Sequence, residues 1–190
     1  MSRLARLLAI APLLALAHPQ PAAANPAMID YVRGQITAMR QSPEIMEAIR
    51  DANARHAALP ETQLVAMDAQ WRGEIGASEA PTISAIVEST ASQRLRAMAQ
   101  DSGGVVTEII VMDNRGMNAA TSAVTSDYWQ GDEAKFIETF PRGPAGLHVG
   151  EVEYDESTNS YQVQVSTTLV DPVTGQPAGA VTFGLDATAF

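Results

Sequence analysis

Residues 126–136, Ser-Asp-Tyr-Trp-Gln-Gly-Asp-Glu-Ala-Lys-Phe, gather an adjacent Tyr-Trp pair, a glycine and three acids into eleven positions. Two kinds of chemistry fit such a stretch. Ser126 or Asp127 can cap a helix running to Phe140, with Asp132 and Glu133 in its first turn. Alternatively, Tyr128 and Trp129 beside Gly131 suit a lid over a cleft, because each ring has an apolar body and one polar handle. Gln130 and Asp132 would then supply polar contacts at its rim. Trp129 taken singly is also compatible with core packing.

Other residues offer less. Tyr154 and Asp155 can form a pocket floor or belong to a strand with one solvated face. Asp186 can pair with a ligand amine or simply end a strand. Arg115 reads as an exposed turn residue or a ligand contact. His56 and His148 are the histidines outside the first 24 residues, and they lack the spacing of metal ligands. Each reads as a surface or helix-end histidine. Asp155, Ser157 and Asn159 alternate like calcium ligands, but the loop glycine and terminal glutamate are missing, so a hairpin turn explains them better. No G-x-S-x-G, no H-E-x-x-H and no cysteine is present. Adjacent carboxylates such as Asp132/Glu133 or Asp155/Glu156 diverge on a helix or a strand and do not form an acid–base pair. These observations assign no catalytic residue, no metal and no cofactor, and they leave a hydrolase as a remote alternative.

The elements that must position these residues fall into two halves. Residues 25–101 are helical in pattern. Ile29, Val32, Ile36 and Met39 recur at helical spacing. Ser42-Pro43-Glu44 then opens a second helix carrying Ile45, Ile49 and Ala52. A third begins at Pro60-Glu61 and presents Leu64, Met67 and Trp71. A fourth is expected from about Pro81 to Gln100, ended by Gly103-Gly104. Residues 102–190 change to strand periodicity. Strands are expected at 105–113, 117–125, 151–156, 161–169 and 178–186, with turns at 114–116 and 171–179. In the fourth strand Tyr161, Val163, Val165 and Leu169 share one face, and Gln162, Gln164, Ser166 and Thr168 the other. The polar face is either solvated or the wall of a polar pocket. The pattern gives an α+β chain: an antiparallel five-stranded sheet with helices on one face.

Residues 1–24 read as a signal peptide. Arg3 and Arg6 precede the apolar run Leu7–Ala17, and Ala22-Ala23-Ala24 fits a cleavage site. The run is too short for the ~20 residues of a membrane span. The expected mature chain is one domain, periplasmic or secreted, with no membrane insertion. Loss of Arg3 and Arg6 takes the formal net charge from −10 to −12. With cations scattered singly, this excludes nucleic acid as a partner.

The string from Ile109 to Phe136, with its Asp113 and Gly116 turn, resembles the extracytoplasmic PAS-like sensor domains called PDC or Cache domains. The resemblance covers about residues 60–186. It continues through Asp171, Thr174, Gly175 and Gly179 to Gly184-Leu185-Asp186. It implies a PAS-like five-stranded sheet with long N-terminal helices, and a ligand pocket beneath the segment between the second and third strands. The implied role is sensing a small molecule, through Tyr128, Trp129, Gln130, Asp132, Tyr154, Asp155, Asp186 and Arg115. The amino-acid-binding members carry a basic residue just before a Trp-Tyr pair. Here Thr125-Ser126-Asp127 precede Tyr128-Trp129, which argues against an α-amino-acid ligand. Family members usually lie between membrane spans in a receptor. This chain instead reads as a free-standing exported domain that presents its ligand to a membrane receptor or transporter. The alternative is a protein-interaction or dimerisation module without a small ligand.

Overall fold

The computed structural model describes residues 25–155 and 160–190, with nothing of the Asp155 side chain. The signal-peptide expectation for 1–24, Glu156, and the turn residues Ser157 and Asn159 therefore lie outside the described residues.

Five helices come first: α1 (Pro26–Arg40), α2 (Pro43–His56), α3 (Glu61–Glu74), α4 (Pro81–Val87) and α5 (Thr90–Asp101). Asn25 caps α1 by accepting the Ala27 amide at 3.0 Å, and Pro26 and Pro43 occupy first-turn positions. Ser42 differs from expectation, since its hydroxyl donates to the Glu44 carboxylate and makes no cap bond. The single helix expected over 81–100 is two. Ser89 caps α5 by accepting the Ser92 amide, and its extended backbone breaks the helical path. None of these helices is long and apolar enough to cross a membrane.

The strands are β1 (Val106–Met112), β2 (Asn118–Thr121), β3 (Leu147–Asp155), β4 (Ser160–Val170) and β5 (Pro177–Asp186). All pairings are antiparallel, in the order β2-β1-β5-β4-β3. The fold is thus α+β, a five-stranded antiparallel sheet with helices on one face, as the sequence pattern indicates. β2 is shorter than expected, and β3 begins four residues earlier, at Leu147 rather than Glu151. The helix expected to reach Phe140 is one turn, α6 (Ala134–Ile137), followed by a 3-10 turn over Phe140–Arg142.

One sheet face is dry. Ile109, Val111, Val163, Val165, Val181, Phe183 and Leu185 pack against Val32, Met39, Ile45, Ile49 and Leu95 of α1, α2 and α5. Alternation in the strands and the 3-4 spacing in the helices bring these two apolar surfaces together. A second cluster joins Leu64, Trp71, Ile83 and Ile86 of α3 and α4 to Met117 and Tyr128. On the opposite sheet face, Phe136 covers only Ile110, Met112 and Ala180, with Phe140 alongside. The remainder of that face is polar.

Candidate functional site

The 126–136 segment extends the sheet beyond β2. Asn118 N donates to Tyr128 O, Gln130 N donates to Gly116 O at 2.8 Å, and Met117 and Trp129 form an isolated bridge. Buried Asp68 of α3 holds the segment from behind. Its Oδ1 accepts the amides of Tyr128 and Trp129 at 2.9 and 3.1 Å. Arg72 joins Asp68 and Asp127 at 2.7 and 2.8 Å. Asp127 is therefore an ion-pair partner and caps no helix.

The two aromatics point into protein. Tyr128 is 4% exposed and stacks on Trp71, with ring centroids 5.1 Å apart and an interplanar angle of 6°. Burial raises the pKa of its phenol; Arg55 opposes the shift and Asp113 adds to it. The Trp129 indole N–H donates to Arg115 O at 2.9 Å and crosses over Gly131. A Cβ on Gly131 would overlap that indole nitrogen, and one on Gly116 would lie 2.5 Å from the Gly131 Cα. Glycine is required at this crossing by space, and at Gly116 also by its φ of +80°. Gln130 is buried. Its amide donates to Asp127 O, and its Oε1 accepts from Lys135 Nζ at 3.1 Å. Lys135 also pairs with Glu133 at 3.1 Å.

His56 departs most from its sequence reading. It is a helix end but not a surface residue, being 1% exposed, with Nδ1 2.5 Å from Oδ2 of fully buried Asp113. The other Asp113 oxygen accepts the amides of Arg115 and Met117 and so shapes the β1–β2 turn. Arg115, half-buried, donates to the carbonyls of His56 and Leu59 at 3.2 Å each. An Asp–His pair can activate a nucleophile. Among the described residues no hydroxyl hydrogen-bonds the other ring nitrogen, and burial closes the pair to a substrate. Its geometry is that of a strut between α2 and the turn.

Arg115, Tyr128, Trp129 and Gln130 are thus brought together at the β1–β2 end of the sheet, with Asp132 exposed beside them. Tyr154, Asp155 and Asp186 lie at the other end of the strands. Tyr154 is half exposed and meets Tyr161 edge-on at 5.3 Å, on the side of the helices. Asp155 pairs through its backbone with Ser160. Asp186 accepts the amide and the hydroxyl of Thr188, which hold its pKa below the usual carboxylate value.

The polar face of β4 forms the wall of a cleft of about 500 Å³. Gln162 and Gln164 line it from β4, and His148, Glu151 and Glu153 from β3. The start of α6, with Glu133 and Lys135, roofs it. At its inner end two polar rungs cross the sheet: Thr107 donates to Gln162 at 2.8 Å, and Gln164 donates to Glu108 at 2.9 Å. They close over Gly184, where a Cβ would lie 2.5 Å from the Thr107 hydroxyl and 2.7 Å from Glu108 Cγ. Glu133 is matched by Lys135, whereas Glu151 and Glu153 have no ion-pair partner among the described residues. Among the described residues no three His, Cys, Asp or Glu side chains gather as metal ligands. Sequence reading identified Gln162 and Gln164 as a possible wall but missed the β3 residues. A register shift between Val149 and Val152 interrupts their alternation.

No family model and no curated protein matches the chain. Among solved structures it is similar to the sensor domain of the V. cholerae histidine kinase DctB. The identity is 10% and the TM-score 0.36, over 86% of this chain and 58% of that one. It is similar also to the ligand-binding domain of the Campylobacter jejuni chemoreceptor Tlp3, in complex with 4-methylisoleucine. There the identity is 10% and the TM-score 0.40, over 81% and 61% of the two chains. A third is the ligand-binding domain of the Pseudomonas fluorescens chemoreceptor CtaA, in complex with L-serine. Its identity is 10% and its TM-score 0.38, over 86% and 61%. The chain spans about three fifths of the length of these solved chains. All three are sensor or ligand-binding domains, one of a histidine kinase and two of chemoreceptors.

Proposed function

We propose that this chain is an exported sensor-type domain that binds a small polar molecule in the cleft between α6 and strands β3 and β4. One observation carries the reading: strands packed dry on one face turn amides and carboxylates into an open 500 Å³ cleft on the other. Clefts of that size with a few convergent polar groups are the usual form of a small-molecule site. Gln162 and Gln164 supply hydrogen bonds, and the unpaired carboxylates of Glu151 and Glu153 favour a ligand rich in donors. The Lys135 ammonium is taken by Glu133 and Gln130, so a ligand carboxylate finds no free cation there.

In this reading Tyr128 and Trp129 are positioning residues. They anchor the segment from which Glu133 and Lys135 hang as the roof, with buried Gln130 holding Lys135 from behind and the Arg115 carbonyl fixing the indole. Asp132 stands at the rim. Tyr154, Asp155 and Asp186 lie along the ends of the strands that form the cleft wall. Presentation of the loaded domain to a membrane receptor or transporter is the role proposed for the exported protein.

A thermal-shift screen of small polar metabolites on residues 25–190 tests the reading. A true ligand at 100 times its Kd should stabilise by about 2.7 kcal/mol. Gln164→Ala combined with Glu153→Gln should abolish the shift while leaving the unliganded Tm nearly unchanged. A screen without a hit, or a hit indifferent to both substitutions, would overturn it.

A further inference from the structure

β3 is an edge of the sheet: among the described residues β4 pairs with it on one side and no strand on the other. Its side chains sort into two rows. Leu147, Val149, Val152 and Tyr154 share the helix side. Val149 packs on the core there, but Leu147, Val152 and Tyr154 are 41%, 44% and 50% exposed. His148, Glu151 and Glu153 share the cleft side.

The direction of the backbone groups follows from one bond. Thr168 N donates to Gly146 O at 3.2 Å, and opposed residues of an antiparallel pair alternate between bonded and unbonded. Ser166, Gln164 and Gln162 therefore also turn their backbone groups to β3, while Thr167, Val165 and Val163 turn theirs to β5. Leu147, Val149 and Val152 lie opposite those last three, so their N–H and C=O groups point away from the sheet. Such an edge is a template for another strand.

We infer that β3 pairs antiparallel with β3 of a second copy of this chain, in the register that sets Val149 opposite Val152. Leu147 then faces Tyr154 and His148 faces Glu153, and the two-fold axis repeats every pair. Apolar residues meet apolar ones on the helix side, and an imidazole N–H meets a carboxylate on the cleft side. Val149 and Val152 are positions whose backbone groups point outward, as a new ladder requires. A bulge ordinarily blunts an edge. Here Gly150 and Glu151 fall between the paired valines on both strands, so the interruption has equal length on each. Registers centred on Val152 or on Glu153 also match the faces, but they set Glu153 against Glu151 or against itself, which is destabilising. The inferred pairing joins the two five-stranded sheets into one, with both clefts on the same face beside the seam. A seam one strand wide places the dimer in the weak, transient class.

Sedimentation equilibrium of residues 25–190 without ligand, from about 10 μM to 1 mM, should show monomer giving way to dimer. Positions 148, 152 and 153 are exposed or half-buried, and an unchanged Tm in dilute solution confirms that each variant folds. Val152→Pro removes an outward N–H without touching a β3–β4 bond and should abolish the dimer. His148→Glu sets a carboxylate opposite Glu153 at two places and should raise the dimer Kd about tenfold. Adding Glu153→His rebuilds the pair in reverse and should return Kd to within about threefold of the original. Monomer at every concentration would overturn the inference and leave the edge to a strand of another protein. A dimer indifferent to Val152→Pro and His148→Glu would place association on a different face, and a swap that restores nothing would refute the register.

Discussion

The two faces of one sheet are built from alternate residues of the same strands, yet they do opposite things. On the helix side, Val163, Val165, Phe183 and Leu185 are almost fully buried within an apolar cluster. On the other side, the intervening Gln162, Gln164 and Gly184 leave a polar cleft, and only Phe136 and Phe140 supply a plug. Between these halves Ser166 and Thr182, fully buried, satisfy each other at 2.9 Å. The contrast locates stability on the first face and leaves the second free to carry recognition. Dry packing fixes the strands so firmly that amides and carboxylates on the other side need not contribute to folding.

Substitutions can break this contrast. Phe183→Ala opens a cavity in the dry face and should cost about 3–5 kcal/mol, read as a lowered urea midpoint. A comparable truncation on the cleft face, Gln164→Ala, should stay within about 0.5 kcal/mol while removing the ligand-induced shift. Gly184→Ala lies between the two. Its Cβ meets the Thr107 hydroxyl and Glu108 Cγ, so the rungs must part, at about 1–3 kcal/mol. Binding in the cleft should be lost with them. Equal losses of stability from Phe183→Ala and Gln164→Ala would erase the proposed division.

The buried polar seam sharpens the comparison. Ser166→Ala alone leaves the Thr182 hydroxyl unpaired and should cost about 1–3 kcal/mol. Ser166→Ala with Thr182→Val removes both partners and should be nearly neutral. If the double variant is the worse of the two, the seam does more than satisfy itself.

The smallest effect concerns acid. The amides of Thr174 and Val173 hold the Asp171 carboxyl below its usual pKa, against the opposing effect of burial, and Arg50 adds to them. Glu74 is also held low: burial raises its pKa, but the hydrogen bonds of Thr82, Ile83 and Gln70 together outweigh it. Neither residue lines the cleft. A folded pKa below the unfolded one means stability fully present above the unfolded value of about 4 and lost as pH falls through the folded one. Asp171→Asn keeps an acceptor oxygen but does not titrate. It should flatten the decline of Tm below about pH 4 without altering cleft binding.

Alternation alone divides β4 correctly into Val163/Val165/Leu169 and Gln162/Gln164/Ser166/Thr168, because a strand's period is set by its own backbone. The helical stripes of α1 and α2, and the change to strand pattern after Gly104, were legible for the same local reason. Tyr128-Trp129 stood out as a chemical oddity, but composition could not say which way the rings point. That depended on Trp71 and Asp68, some sixty residues earlier, which take the ring and the backbone into a second core. The His56–Asp113 strut was invisible for the same reason: its two members are 57 positions apart.

What the chain determines by itself, then, is which residues share a face and where helical pattern gives way to strand pattern, since these follow from backbone geometry over a few residues. The tertiary structure alone decided the order β2-β1-β5-β4-β3 and which polar face became a cleft. Each of these is set by long-range contacts whose partners no local pattern names.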